Sequence, residues 1–521
     1  MSLTSPVNLS DSAHWTVPHV VLTQAEQHPD RTAIEFTEYG EWTFSDCKNQ
    51  ALKAAGLLAA KGIKAGDIVA LMTDNAEEFC RYWLGLNFIG ATMVAINTSM
   101  RGAPLQHQIQ ISATQFLIVD EKTHQECNNL QNTVSVLLTN ELQLANSKPL
   151  PLEKIHPTHS HDLSCVMFTS GTSGPSKGVL MPQAHCLLFA IGTIENYNLK
   201  STDTFYICLP LFHANGLFMQ LLACLAIGCK AVIRDKFSAS RWLDDIRHYR
   251  ITHTNTLGAV AAFIVAQPET DHDKDHTLRV IGAAPLPAMA EEIFRNRFGV
   301  PSVVPLYGMT EVNIPLYGKL NESAPGTCGY VYDKYFQVEI RNPDSDDPVA
   351  DGTTGEIMVR PKLANGFMSG YVGMPEATLQ SWRNFWFHTG DAGYKNPLGQ
   401  FVFVDRIKDC IRKRGENISS YEVEQAFLGI DEIAEVAAYA VPAEGGEGME
   451  DEVMVAILLK QNASIDIEQW VNSASSDIPK FAIPRYVRVV KELPKTQTGK
   501  IRKIELRNDG ITPDTVDRQL G

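Results

Sequence analysis

The chain has 521 residues, 44% hydrophobic and 20% charged, an ordinary globular composition that excludes wholesale disorder. Its 60 acidic residues outnumber 45 basic ones, and the net charge of −15 opposes non-specific binding to nucleic acid or anionic membranes. Ten cysteines without a CxxC pair predict reduced thiols rather than a disulfide framework.

The opening MSLTSPVNLSDSAHW has neither the basic nor the apolar region of a secretory signal. An apolar stripe at Leu52, Ala55, Leu58 and Ala59 predicts a helix over 46–61, and Ile68 to Met72 reads as a buried strand. A helix over 76–86, a strand at ATMVAIN and a short strand at Phe116 to Asp120 follow. Residues 141 to 162 are polar, with several histidines, and read as a surface connection between two subdomains. Ser164 to Phe168 is again strand-like, and a second half with strands FYICLP and KAVIRD runs from about 180 to 320. The longest apolar stretch, Leu221 to Ile233, is broken by Gly, Cys and Lys and falls short of the ~20 residues a membrane span needs. A cytoplasmic protein is expected.

After Pro325 the texture changes to short strands and turns, and a last unit begins at Asp405. In it VAAYAVP, EVMVAILL and RYVRVV read as strands and IEQWV as part of a helix. Alternating strands and helices predict an α/β fold with largely parallel sheets.

Chemistry concentrates first in Thr169-Ser-Gly-Thr-Ser-Gly-Pro-Ser-Lys-Gly178, directly after a strand. Its glycines free backbone N–H groups to face an anion, its hydroxyls add donors and Lys177 adds charge, which suits a nucleotide polyphosphate. A Walker A loop is excluded, since positions 176 and 178 hold Ser and Gly where Gly and Ser/Thr are required. On composition alone, a surface loop is the alternative.

This loop resembles the phosphate loop TSGTTGxPKG of the acyl-adenylate-forming (ANL) superfamily, departing at Ser173 and Ser176. Tyr307-Gly-Met-Thr-Glu311, Trp386-Phe-His-Thr-Gly-Asp391, Asp405-Arg-Ile-Lys-Asp409 and Leu493-Pro-Lys-Thr-Gln-Thr-Gly-Lys500 resemble four further motifs of that superfamily, in its order and with its spacing. Upstream, Glu41-Trp-Thr-Phe and Gly90 to Asn97 extend the resemblance over essentially the whole chain. Within the superfamily the texture is most similar to bacterial crotonobetaine/carnitine-CoA ligase-like proteins.

The resemblance implies a large N-terminal domain over 1–404, made of two layered α/β subdomains plus a β-rich subdomain. A small mobile α+β C-terminal domain over 405–521 follows, carrying the catalytic lysine. It implies that Thr169, Ser170, Gly171, Thr172, Ser173, Gly174 and Lys177 hold the ATP phosphates. Tyr307 stacks on adenine, with Ala284, Gly308, Met309 and Phe403 also at the nucleotide. Thr310 contacts phosphate and Glu311 binds Mg²⁺. Asp391 and Arg406 meet the ribose, Lys408 is the hinge, Gly415 lies on the pantetheine path, His213 borders the carboxylate and thiol, and Lys500 serves adenylation.

The implied reaction joins a carboxylic acid to coenzyme A through acyl-AMP, at the expense of MgATP. Because the chain ends 21 residues after Lys500, a free thiol acceptor is expected. A stand-alone enzyme that loads a carrier protein is the alternative. The acid is open between a carnitine-like molecule and a medium-chain or aryl acid, the latter favoured by the small residues Gly258, Ala259, Gly282, Ala283 and Ala284. Arg412-Lys413-Arg414 is read as a positive patch facing either the CoA phosphates or solvent. The oligomeric state is open, a homodimer included.

Overall fold

A computed structural model describes residues 7–130, 133–142, 147–169, 176–284, 288–407, 409, 411–413, 416–442, 451–461, 463, 466–475, 478, 480–496 and 499–518. The chain divides into two compact units, one of 1–169, 176–338 and 359–387, the other of 170–175, 339–358 and 388–521.

The first unit is α/β and contains two sheets. A seven-stranded sheet runs in the order Gly370–Tyr371, Lys177–Pro182, Leu163–Thr169, Thr92–Ala95, Ile68–Met72, Phe116–Val119, Ser135–Leu138. Its inner pairs are parallel and nearly continuous in Val, Ile, Leu, Ala and Met, as strands covered on both faces must be. The intervening helices start and stop as the sequence dictates. Thr43 and Asp46 form a reciprocal capping box for Phe44–Ala60, Asn75 caps Ala76–Ile89, and Gly90 ends that helix at φ +74°.

The second sheet has nine strands, in the order Tyr330–Val331, Asn313–Tyr317, Ser302–Met309, Val280–Ala283, His253–Thr256, Thr204–Ile207, Lys230–Ile233, Thr32–Phe36, Gly40–Thr43. The N-terminal hairpin thus pairs some 200 residues downstream, Ile34 opposite Ala231, with Lys230 ion-paired to Glu35 at 2.8 Å. No local pattern announces that partner. Its core packs Trp242, Phe294 and Phe298 against Tyr206, Ile246 and Ile281.

The second unit holds the sheet Ile433–Pro442, Asp451–Leu459, Tyr486–Val490, Thr515–Asp517, packed by Phe427 and Trp470. It also holds the antiparallel pair in which Asp391 lies opposite Arg406. Among the described residues, nine buried cysteines stand outside any disulfide, and no helix is long and apolar enough to cross a membrane.

Candidate active site

In the first unit, the phosphate-loop residues Thr169 and Lys177 face each other as the last antiparallel pair of two strands. Thr169 Oγ1 donates to the Lys177 carbonyl at 3.4 Å. The strand ladder therefore fixes both ends of the loop. A second brace comes from the Gly102–Ile111 helix, where His107 Nε2 lies 3.1 Å from the Ser176 carbonyl and Gln108 Nε2 donates to Ser176 Oγ at 3.2 Å.

The Tyr307–Glu311 motif sits where the Ser302–Met309 strand turns into Asn313–Tyr317. The pairing slips between Tyr307 and Met309, and Gly308 occupies the slip. A Cβ there would stand 2.2 Å from the Asn313 carbonyl, so only glycine fits. Asn313 takes φ +72° and donates through Nδ2 to the His185 carbonyl. Tyr307 is buried, while Met309 and Thr310 are partly so.

Glu311 is only 4% exposed. Tyr371 donates its hydroxyl to Glu311 Oε1 at 3.0 Å, and Met368 N–H donates to the Glu311 carbonyl at 3.1 Å. The Lys177 ammonium lies 4.7 Å from the centre of the Tyr371 ring. One tyrosine thus touches the phosphate-loop cation with its face and the expected metal-binding carboxylate with its hydroxyl. A buried, hard carboxylate oxygen beside a neutral O–H donor fits Mg²⁺.

His185 braces the same turn from behind. It is fully buried, and its ring nitrogens lie 2.8 Å from the Gly366 and Thr310 carbonyls. Burial holds this imidazole below its ordinary range, against the pull of the two carbonyls. A neutral ring donates from one nitrogen only, so one of the two contacts is a hydrogen bond at a time.

His213 lies in the turn that starts at Pro210, with Phe212 packed edge-on at 4.7 Å. Its N–H donates to the Pro210 carbonyl, and its own carbonyl accepts from Leu217. The segment Asn215–Leu222 that follows is wound as a π-helix, a form that concentrates at functional sites. Ala284 directly follows the Val280–Ala283 strand.

The space expected beside Gly282 is filled. A Cβ on Gly282 would lie 1.7 Å from Tyr197 Oη and 2.5 Å from Asn255 Oδ1, so this glycine makes room for a tyrosine and not for an acyl group. Tyr317 is likewise locked, edge-on to Tyr197 and Tyr332, with its hydroxyl against Gly192.

In the second unit, Asp391 is buried, pairs with Arg406 Nε at 2.9 Å and takes its backbone direction from Thr389. Glu356 organises the motif before it, with Oε1 accepting from Gly390 N–H at 2.9 Å and Oε2 lying 3.0 Å from His388 Nδ1. Phe403 stands opposite Gly393 on the neighbouring strand. Asp405 accepts from Ser420 N–H at 2.8 Å.

Lys500 lies in a loop closed by its own backbone: Thr496 N–H donates to the Lys500 carbonyl at 2.7 Å, and Arg502 N–H to that of Pro494. Its side chain keeps an open face. Its ammonium is nevertheless held below the ordinary lysine range, first by the crowding around it, then by the Arg406 charge, with Asp391 opposing. These three residues therefore form one electrostatic cluster. Lys413, read as part of a positive patch, is instead buried and paired with Glu452 at 2.7 Å.

Ser170, Gly171, Thr172, Ser173, Gly174, Lys408 and Gly415 lie outside the described residues. Tyr371, His185 and Glu356 were not foreseen. Each acts on its motif from a distance, Tyr371 on a residue 60 positions away. Their sole sequence signal is a polar side chain on an otherwise apolar segment.

A family profile described as AMP-binding enzyme matches residues 21–372, and one described as AMP-binding enzyme C-terminal domain matches 422–500. Long-chain fatty acid transport protein 6 of Mus musculus is 27% identical over 96% of this chain and 86% of its own. Crotonobetaine/carnitine–CoA ligase of Salmonella paratyphi C is 27% identical over 92% of this chain and 96% of its own. Among solved structures, o-succinylbenzoate CoA synthetase of Bacillus subtilis with its acyl-adenylate superposes with a TM-score of 0.84. It is 24% identical, over 95% of this chain and 98% of that one, a likeness of fold.

Proposed function

The chain belongs to the AMP-binding enzyme family, and from that premise we propose that it is an ATP-dependent, AMP-forming acyl-CoA synthetase acting on an aliphatic or aryl acid that carries no cationic group. The observation that carries the reading is the Lys177–Tyr371–Glu311 array, which sets a phosphate-binding cation and a buried carboxylate on one side chain.

In the first half-reaction a carboxylate oxygen of the acid attacks the α-phosphorus of ATP, and pyrophosphate leaves. Glu311 would hold Mg²⁺, which would supply charge neutralisation at the phosphates. Thr169, Thr310 and Lys177 orient the polyphosphate, Asp391 and Arg406 the ribose, and Tyr307 the adenine. Lys500 places a positive charge between two anions that must approach each other. In the second half-reaction a thiol sulfur attacks the acyl carbon and AMP leaves. We place the moving part at 405–521, turning about Lys408 so that Gly415 replaces Lys500 at the reacting centre, with His213 bordering the thiol path.

The acid class rests on the pocket segments. A quaternary ammonium is held by aromatic faces or carboxylates, and Tyr317, on the strand that follows Glu311, is committed to the core by Tyr197 and Tyr332. That disfavours a betaine of the kind in the name of the Salmonella relative. The acyl carrier is CoA, in keeping with the names of the ligase relatives.

Pyrophosphate release with ATP, Mg²⁺ and CoA, measured over a panel of carnitine, crotonobetaine, fatty and aryl acids, tests this. Turnover confined to fatty or aryl acids is expected. Turnover confined to the cationic acids overturns the acid class, and turnover that needs an added holo-carrier protein overturns CoA as acceptor.

A further inference from the structure

We propose that the turn His159–Asp162 binds a divalent transition-metal ion of the Zn²⁺ class through His159 Nδ1, His161 Nε2 and Asp162 Oδ1. None of these residues belongs to the ligase site.

One potential donor atom from each of the three side chains lies within 4.8 Å of the others. His159 Nδ1 stands 3.6 Å from Asp162 Oδ2, and His161 Nε2 stands 3.6 Å from Asp162 Oδ1. These separations are too long for hydrogen bonds. The second, between two of the proposed ligand atoms, is near the edge of a coordination tetrahedron, about 3.4 Å for metal–ligand bonds of about 2.1 Å. The two imidazole ring centres lie 5.3 Å apart with 21° between their planes, and each ring has one nitrogen 3.6 Å from the Asp162 carboxylate.

The backbone under these side chains is fixed before any ion arrives. Asp162 N–H donates to the His159 carbonyl, and the first residues of the next helix, Gln183 and Ala184, donate to the carbonyls of Asp162 and Ser160. His159 N–H donates to Asp162 Oδ2 at 2.7 Å, which orients the carboxylate and leaves Oδ1 toward His161. A hydrogen bond on one oxygen of a ligating carboxylate is the usual support for such a ligand. Two imidazoles and one carboxylate select Zn²⁺, Ni²⁺ or Cu²⁺ over Mg²⁺ or Ca²⁺. Both histidine side chains are about two-thirds exposed, so the ion enters without unfolding. Three protein ligands leave a fourth position to water.

The full chain, freed of metal, is titrated with Zn²⁺ alone against a chromogenic chelator, without ATP, and with Co²⁺ as a spectroscopic probe. One equivalent is expected to bind, with tetrahedral Co²⁺ absorption. Each of His159→Gln and His161→Gln is expected to weaken binding at least about tenfold. Asp162→Asn, which keeps an acceptor for His159 N–H, tests the carboxylate separately. The metal-free melting temperature of the histidine variants controls for folding, and Zn²⁺ is expected to raise it in the parent chain only. Equal Zn²⁺ affinity in the parent and the His159→Gln/His161→Gln double variant overturns the site. So does a Co²⁺ spectrum that the double substitution leaves unchanged.

Discussion

Glu311 and Lys500 carry the two expected charges of the adenylation step and are held in opposite ways. Glu311 is 4% exposed, receives a phenol O–H at 3.0 Å, and follows a turn braced by a fully buried histidine. Lys500 keeps an open face on a loop where its N–H donates to Thr496 Oγ1 at 3.1 Å and its carbonyl accepts from Thr496 N–H at 2.7 Å. The difference follows the chemistry. A metal-binding carboxylate serves as long as the nucleotide is bound, so rigid burial suits it. A lysine needed for one half-reaction suits an element that brings it and takes it away.

The sharpest way to break that contrast is Lys500→Ala. Adenylation, read as acid-dependent exchange of pyrophosphate into ATP, is expected to fall about 10³-fold. Thioester formation from pre-made acyl-AMP is expected to persist. An equal loss in both half-reactions removes the basis for treating Lys500 as a part-time residue. Glu311→Gln keeps shape and removes charge. It is expected to cost about 10²-fold in kcat at ordinary Mg²⁺ and to raise the Mg²⁺ concentration needed for half-maximal rate.

Tyr371→Phe probes the rigidity of the buried half. It deletes one hydrogen bond to a charged group, worth about 1.5 kcal/mol, and keeps the ring under Lys177. About a tenfold rise in the Mg²⁺ requirement with an unchanged KM for the acid is expected. A change in the KM for the acid instead, with Mg²⁺ dependence intact, places Tyr371 at the acyl pocket.

The two regions also differ in how far they can be read from sequence. Gly308 is legible because a motif glycine has a local cause, a slipped strand pair that leaves no room for a Cβ. The strand Ile68–Met72 is legible because it is a short buried apolar run, and the helix Phe44–Ala60 because Leu52, Ala55 and Leu58 form an apolar stripe that packs inward. The partner of Thr32–Phe36 is not, since parallel pairing with Lys230–Ile233 depends on the whole intervening chain. Tyr371, His185 and Glu356 escape for the same reason: each reaches a motif through space, and side-chain direction at that range is set by tertiary packing. Gly282 misled because a missing side chain says that space exists, and Tyr197 fills it.

The smallest expected effect bears on the open half, and it is a displacement in pH. In the proposed mechanism Lys500 must carry its proton to sit between carboxylate and α-phosphate. Crowding and the Arg406 charge hold its pKa below the usual value near 10.5, while Asp391 pulls it up. The adenylation rate is therefore expected to fall on the alkaline side earlier than an ordinary lysine dictates. Arg406→Gln removes a repelling charge, favours the ammonium and moves this limb to higher pH. Asp391→Asn removes an attracting charge and moves it to lower pH. Both substitutions are also expected to weaken ribose binding, so the profiles are taken at saturating ATP. Thioester formation from pre-made acyl-AMP, in which the proposed mechanism gives Lys500 no part, is expected to show neither displacement. The same displacement in both half-reactions would assign the limb to another group and leave Lys500 without its role as the titrating cation.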